Sequence, residues 1–117
     1  MKLQIHSIHF DADVKLLDFI QKKADKLDTF FDRIIDGEVF LRLDRGDSRR
    51  ENKVVEIKLN LPGKTIVAKE QSTSFEAATD EVVEALKQQL KKHKTKLREQ
   101  SVEVPDDIAT EPATDND

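Results

Sequence analysis

Apolar positions along this chain follow two different periods. Leu3 and Ile5 alternate with Lys2, Gln4 and His6, which predicts a strand over residues 2–8. Val14, Leu17, Ile20, Ala24, Leu27 and Phe31 then recur at spacings of three and four, which predicts an amphipathic helix over residues 13–31. Asp11 or Asp13 is placed to cap it. After Gly37, Val39, Leu41 and Leu43 alternate with Glu38, Phe40, Arg42 and Asp44, giving a second strand over about 37–45. Residues 46–51 (Gly-Asp-Ser-Arg-Arg-Glu) read as a polar loop. Val55, Ile57 and Leu59 mark a third strand that ends at Leu61, and Pro62-Gly63 turns it into a fourth, residues 64–70, with Ile66 and Ala68 facing inward. Thr73-Ser74-Phe75-Glu76 fits a capping box with Thr73 at the N-cap. The helix it opens runs to about Arg98, with Phe75, Ala78, Val82, Leu86, Leu90, His93 and Leu97 on one stripe.

The order is β-α-β-β-β-α, an α+β two-layer sandwich. A helix joins the first two strands, so they can pair in parallel, and short connections make the others antiparallel. Each strand has one apolar face, so the four-stranded mixed sheet should carry both helices on the same side. The opposite face, with Arg42, Glu56, Lys58 and Lys69, stays wet. The period stops after Gln100, so residues 1–100 read as one domain. Residues 101–117, with Pro105 and Pro112, read as an acidic, disordered tail.

Composition sharpens this picture mainly through charge. The 117 residues carry 20 Lys+Arg and 24 Asp+Glu, a formal net charge of −4. Six of the acids (Glu103, Asp106, Asp107, Glu111, Asp115 and Asp117) fall after residue 100, where there is no base, so residues 1–100 carry a net +2. Lys87, Lys91, Lys92, Lys94, Lys96 and Arg98 crowd the end of the second helix, while Glu76, Asp80, Glu81 and Glu84 lie near its start. That polarity suits the helix dipole. Six cations over three turns exceed what the dipole requires and repel one another. At 100° per residue, Lys87, Lys91, Lys94 and Arg98 fall within about 60° of one another, and Lys92 and Lys96 fall on the other flank of the buried stripe. On the first helix Lys15, Lys22 and Lys26 share a solvent stripe, with Lys23 nearer the core, and Asp18 with Lys22 reads as an ordinary i,i+4 pair. Helices packed side by side would rim one groove with two rows of cations, which suits a phosphate backbone.

Other chemistries find little support. Without Cys there is no disulfide, thiolate nucleophile or thiolate metal site. Gly37, Gly46 and Gly63 are isolated, so no phosphate-binding loop is present. His6, His9 and His93 lack metal-ligand spacing, and His93 reads as a core or boundary residue. Asp44, Asp47 and Glu51 belong to a polar turn more naturally than to a catalytic pair. The expectation is a non-enzymatic protein with no metal, no cofactor, no small-molecule substrate and no membrane segment. The absence of an apolar leader predicts a cytoplasmic location. An RNA-recognition motif would need a different element order and more aromatics than Phe40 on its sheet. The double-stranded RNA-binding domain shares the α-β-β-β-α run but has its lysines at the start of its second helix. The fold is therefore similar to that class without sharing its contact pattern.

Three segments resemble the ribosome hibernation promoting factors, also called ribosome-associated translation inhibitors or sigma-factor modulation proteins. Lys26-Leu27 with Phe30-Phe31-Asp32-Arg33-Ile34 resembles their "KL…yFDRI" segment, and Phe75-Glu76-Ala77-Ala78-Thr79-Asp80 their "yaAID" helix start. Leu90-Lys91-Lys92-His93-Lys94-Thr95-Lys96-Leu97 is similar to their "L-x-KHK-x-KL" helix end. The likeness covers about residues 1–98. Two departures are Thr79, where the family has Ile, and Glu84-Ala85-Leu86, where it has a lysine.

The resemblance implies the β-α-β-β-β-α fold and a protein, monomeric when free, that binds the small ribosomal subunit and its rRNA. There it would sit in the messenger and transfer RNA channel and promote ribosome hibernation under stress or in stationary phase. It implies rRNA contacts by Lys22, Lys23 and Lys26 of the first helix and by Lys87, Lys91, Lys92, Lys94, Lys96 and Arg98 of the second. It also implies a short form without the longer members' dimerisation domain. The alternative is a protein-interaction module that modulates a transcription (sigma) factor.

Overall fold

A computed structural model describes residues 1–44 and 52–101. The predicted loop 46–51 and all but the first residue of the predicted tail lie outside them. The elements are β1 (Lys2–Ser7), α1 (Val14–Phe30), β2 (Asp36–Leu43), β3 (Lys53–Leu61), β4 (Lys64–Ser72) and α2 (Phe75–Ser101). The sheet order is β1-β2-β3-β4. The β1–β2 pair is parallel, with Ile5 opposite Val39, and the other two pairs are antiparallel. This is the expected α+β sandwich. The β3–β4 hairpin closes with Leu61 opposite Lys64, and Gly63 has φ +74, as the third residue of a type II turn requires after Pro62.

The core lies between one sheet face and both helices. Val39, Leu41, Val55, Ile57, Leu59 and Ile66 meet Ile20 and Leu27 of α1 and Ala78, Val82, Leu86 and Leu90 of α2. Leu16, not Leu17, belongs to this cluster, and Val14 is 67% exposed. The first turn of α1 holds Val14, Leu16 and Leu17 together, so two stripes one residue apart are available, and packing selects the one through Leu16, Ile20 and Leu27. Phe31 and Leu90 are buried, whereas His93 and Leu97 are only half-buried. The outer sheet face carries the Arg42–Glu56 ion pair and a stack of His6 on Phe40, with ring centroids 5.0 Å apart.

Both helix starts differ from expectation in their caps. Asp13 takes the N-cap position of α1 without a side-chain cap bond; its carbonyl accepts from the N–H groups of Leu16 and Leu17. At α2 the cap is Ser74, whose Oγ accepts from the Ala77 N–H at 3.0 Å, so Thr73 lies one residue outside and Glu76 is not at N3. Either hydroxyl could cap; the frame that buries Ala78 and Val82 selects Ser74. Helix α2 runs three residues beyond the expected Arg98, to Ser101. Thr79 is fully buried, and its hydroxyl donates to the Phe75 carbonyl at 2.7 Å, so the polar atom is satisfied within the helix.

Gly37 sits where β1, β2 and β3 meet. A Cβ there would lie 2.9 Å from Leu59 Cδ2, 3.0 Å from Leu3 Cδ1 and 3.2 Å from the Lys58 carbonyl. Two of these are side-chain ends, but the carbonyl belongs to the ladder. Gly37→Ala should lower stability by about 1–3 kcal/mol in urea unfolding through overpacking; an unchanged midpoint would mean that the leucines yield freely.

Candidate nucleic-acid interface

Helices α1 and α2 pack side by side, so the flank of each that borders the core also borders the other helix. The furrow between them has two stretches that share Thr29 and Phe30. Lys23, Lys26, Asp80, Glu84 and Lys87 line the first, and Asp32, Arg33, Lys94 and Arg98 line the second. Phe30 forms its floor. Lys94 Nζ lies 4.9 Å and Lys87 Nζ 5.8 Å from the centre of its ring, so one aromatic ring attracts two ammonium groups. Lys94 Nζ also donates to the Phe30 carbonyl at 3.1 Å, at the end of α1 where helical carbonyls lack partners. The furrow thus mixes three lysines with two carboxylates beside the start of α2 and carries three cations against one carboxylate at its end.

Of the nine residues proposed from sequence, Lys23, Lys26, Lys87, Lys94 and Arg98 converge on this furrow. Lys22 and Lys91 are exposed but line neither stretch. Lys92 and Lys96 stand on the opposite flank, with Lys64, Gln89 and His93. Lys23 is not a free cation: its Nζ lies 3.1 Å from Asp80 Oδ1 and 5.4 Å from the Phe19 ring centre. This pair is partly solvent-exposed and contributes at most about 1 kcal/mol. Sequence reading missed it because the partners are 57 positions apart. The expected Asp18–Lys22 pair does not form among the described residues. Nor, among the described residues, does a carboxylate lie within ion-pairing distance of Lys87, Lys91, Lys92, Lys94 or Lys96.

Sequence reasoning also missed Arg33 and Lys64, which only the fold brings to the ends of the two flanks. His93 is a boundary residue, its ring in a T-shaped contact with that of Phe31, centroids 5.6 Å apart. Its pKa is held below the usual histidine value, first by burial and then by Lys64 and Lys96. His6 is engaged elsewhere, stacked on Phe40 and 3.3 Å from Glu38 Oε2, so Phe40 is already partly covered. Among the described residues no cluster of His, Asp or Glu could hold a metal ion. No helix among them is long and apolar enough to cross a membrane.

A four-stranded mixed sheet with two helices on one face and a furrow rich in lysine and arginine between them defines the class as a small α+β two-layer protein. The chain belongs to the family described as sigma 54 modulation protein / S30EA ribosomal protein, whose model matches residues 3–98. A ribosome hibernation promotion factor of Deinococcus radiodurans is 32% identical over 101 residues, covering 86% of this chain and 52% of that protein. The chain therefore spans about half the length of that relative. A ribosome hibernation promoting factor of Pseudomonas putida is 29% identical, covering 82% of this chain and 89% of that protein. The fold is shared with a ribosomal subunit interface protein from Coxiella burnetii (TM-score 0.72, 24% identity, 81% of this chain and 99% of that one). It is also shared with the N-terminal domain of Thermus thermophilus Protein Y (TM-score 0.68, 26% identity, 80% of this chain and 99% of that one).

Asp80 offers a test of the furrow's polarity. Asp80→Asn removes a negative charge from its first stretch and releases Lys23. The variant should elute from heparin at higher salt than the wild type. Unchanged elution would place Lys23 outside the path of a bound polyanion.

Proposed function

We propose that this protein is a non-enzymatic ribosome hibernation factor that binds the small ribosomal subunit through rRNA and blocks the messenger and transfer RNA channel. The observation that carries this reading is the cationic ridge on α2. Lys87, Lys91, Lys92, Lys94 and Lys96 are exposed on its later turns, with no carboxylate in pairing range among the described residues. The names of the relatives agree with it. Lys22, Lys23 and Lys26 of α1 and Arg98 of α2 complete the contact set.

The mechanism is steric. Lysine–phosphate contacts release condensed counterions and so supply affinity without reading bases. The sandwich behind them is a packed wedge that excludes competing RNA. Residues 1–100 form the binding unit and residues 101–117 its acidic extension, in a cytoplasmic protein that is monomeric when free and acts in stress or stationary phase.

Binding should be strongly salt-dependent. If about six phosphates are engaged, log K should fall against log salt with a slope of about −4 to −5. Sedimentation with purified ribosomes at two salt concentrations checks this, and failure to co-sediment at low salt would refute the proposal. The double substitution Lys91→Glu with Lys94→Glu should abolish ribosome binding. Retained binding would favour a protein-interaction module acting on a transcription factor through the sheet face.

A further inference from the structure

The flank of α2 away from α1 carries a second, separate cluster. Lys64 opens β4 directly after the Pro62-Gly63 turn, so the hairpin tip is fixed relative to the helix. There it meets Lys92, His93 and Lys96 above Ile66. Gln89 closes the edge of the pocket, its Nε2 donating to the Val67 carbonyl at 2.9 Å, so helix and strand are pinned together beside it. The polar lining is three lysines, one imidazole and this amide; no carboxylate takes part. Three lysines from two elements line it, and among the described residues no carboxylate lies within ion-pairing distance of them. Fold stability does not require this arrangement, whereas an oxyanion would satisfy it.

We propose that this pocket is a phosphate site that takes a backbone phosphate of an RNA strand, with Lys64, Lys92 and Lys96 supplying charge and His93 supplying a ring N–H donor. It deepens the rRNA-binding reading above, on which it rests, by adding Lys64 and His93 to the contact set and by placing Lys92 and Lys96 in a site distinct from the inter-helix furrow. RNA engaging both flanks would grip α2 from two sides.

The proton on His93 reports occupancy. Burial disfavours the imidazolium, and the charges of Lys64 and Lys96 add to that, so the free protein favours the neutral ring. The sheet side presents Lys64 and Ile66, its own helix presents Gln89, Lys92 and Lys96, and α1 leads into the uncharged ring of Phe31. A bound phosphate reverses the local field and favours the cation. The bound state then holds the proton more tightly than the free state, so binding strengthens as pH falls. With one linked proton the gain is at most about tenfold per pH unit.

The test is an NMR titration of the His93 ring against pH in the full-length protein. It is run alone, with a ten-nucleotide single-stranded RNA, and with inorganic phosphate. With RNA, the His93 pKa should rise to or above the usual histidine range, and Lys64→Gln should weaken binding and shrink that rise. A His93 curve that superimposes with and without RNA, while furrow lysines respond, overturns this site and leaves the furrow reading intact. A response to inorganic phosphate but not to RNA overturns the assignment to an RNA strand. If no resonance responds to RNA, both readings fall. His93→Gln adds a check by a second route: its RNA affinity should lose the rise towards low pH, and an affinity as pH-dependent as the wild type's would overturn the proposal.

Discussion

Burial of a single sheet face beneath two neighbouring helices is the constraint from which the surface chemistry follows. Ile20, Ala24 and Leu27 on α1 and Val82, Leu86 and Leu90 on α2 are at most 2% exposed, so the rotation of each helix is fixed. Once rotation is fixed, side chains beside the buried stripe must point into the furrow or towards the sheet edge. Lys87, Lys94 and Arg98 take the first direction; Lys92 and Lys96 take the second. Slipping the stripe by one residue would turn every cation by about 100° and dissolve both clusters.

Phe30 links that packing to the electrostatics. Its ring and carbonyl both engage Lys94, and its ring also attracts Lys87. The hydrocarbon stems of the lysines can lie along apolar surface while their charged heads stay near water. Cation–aromatic contact is compatible with later phosphate binding, because the ammonium retains free N–H donors.

Much of this was legible in the sequence because strands and helices have distinct apolar periods. All six elements, their order and the sheet's polarity were readable from local patterns. What local patterns left open was the choice between near-equivalent neighbours: Leu16 or Leu17, and Thr73 or Ser74. Tertiary packing decides such cases, and it selects the alternative that keeps Ile20, Ala78 and Val82 buried. The basic ridge was equally legible, but its division into two flanks with separate neighbours was not. Lys23 with Asp80, Lys64 with His93, and Lys94 with Phe30 are all long-range encounters. The family likeness lay in segments from both helices, and these are the segments that the fold brings to the furrow.

The crowding on α2 also has a consequence for the unliganded molecule. Lys87 with Lys91, Lys92 with Lys96, and Lys94 with Arg98 are like-charged i,i+4 pairs, each destabilising an isolated helix by about 0.2–0.5 kcal/mol. The helix end therefore stores electrostatic tension when nothing is bound, and any counter-charge that settles there releases it. Added electrolyte should thus firm up the free molecule while loosening its grip on a partner, so tightness of fold and tightness of binding respond to ionic strength in opposite senses.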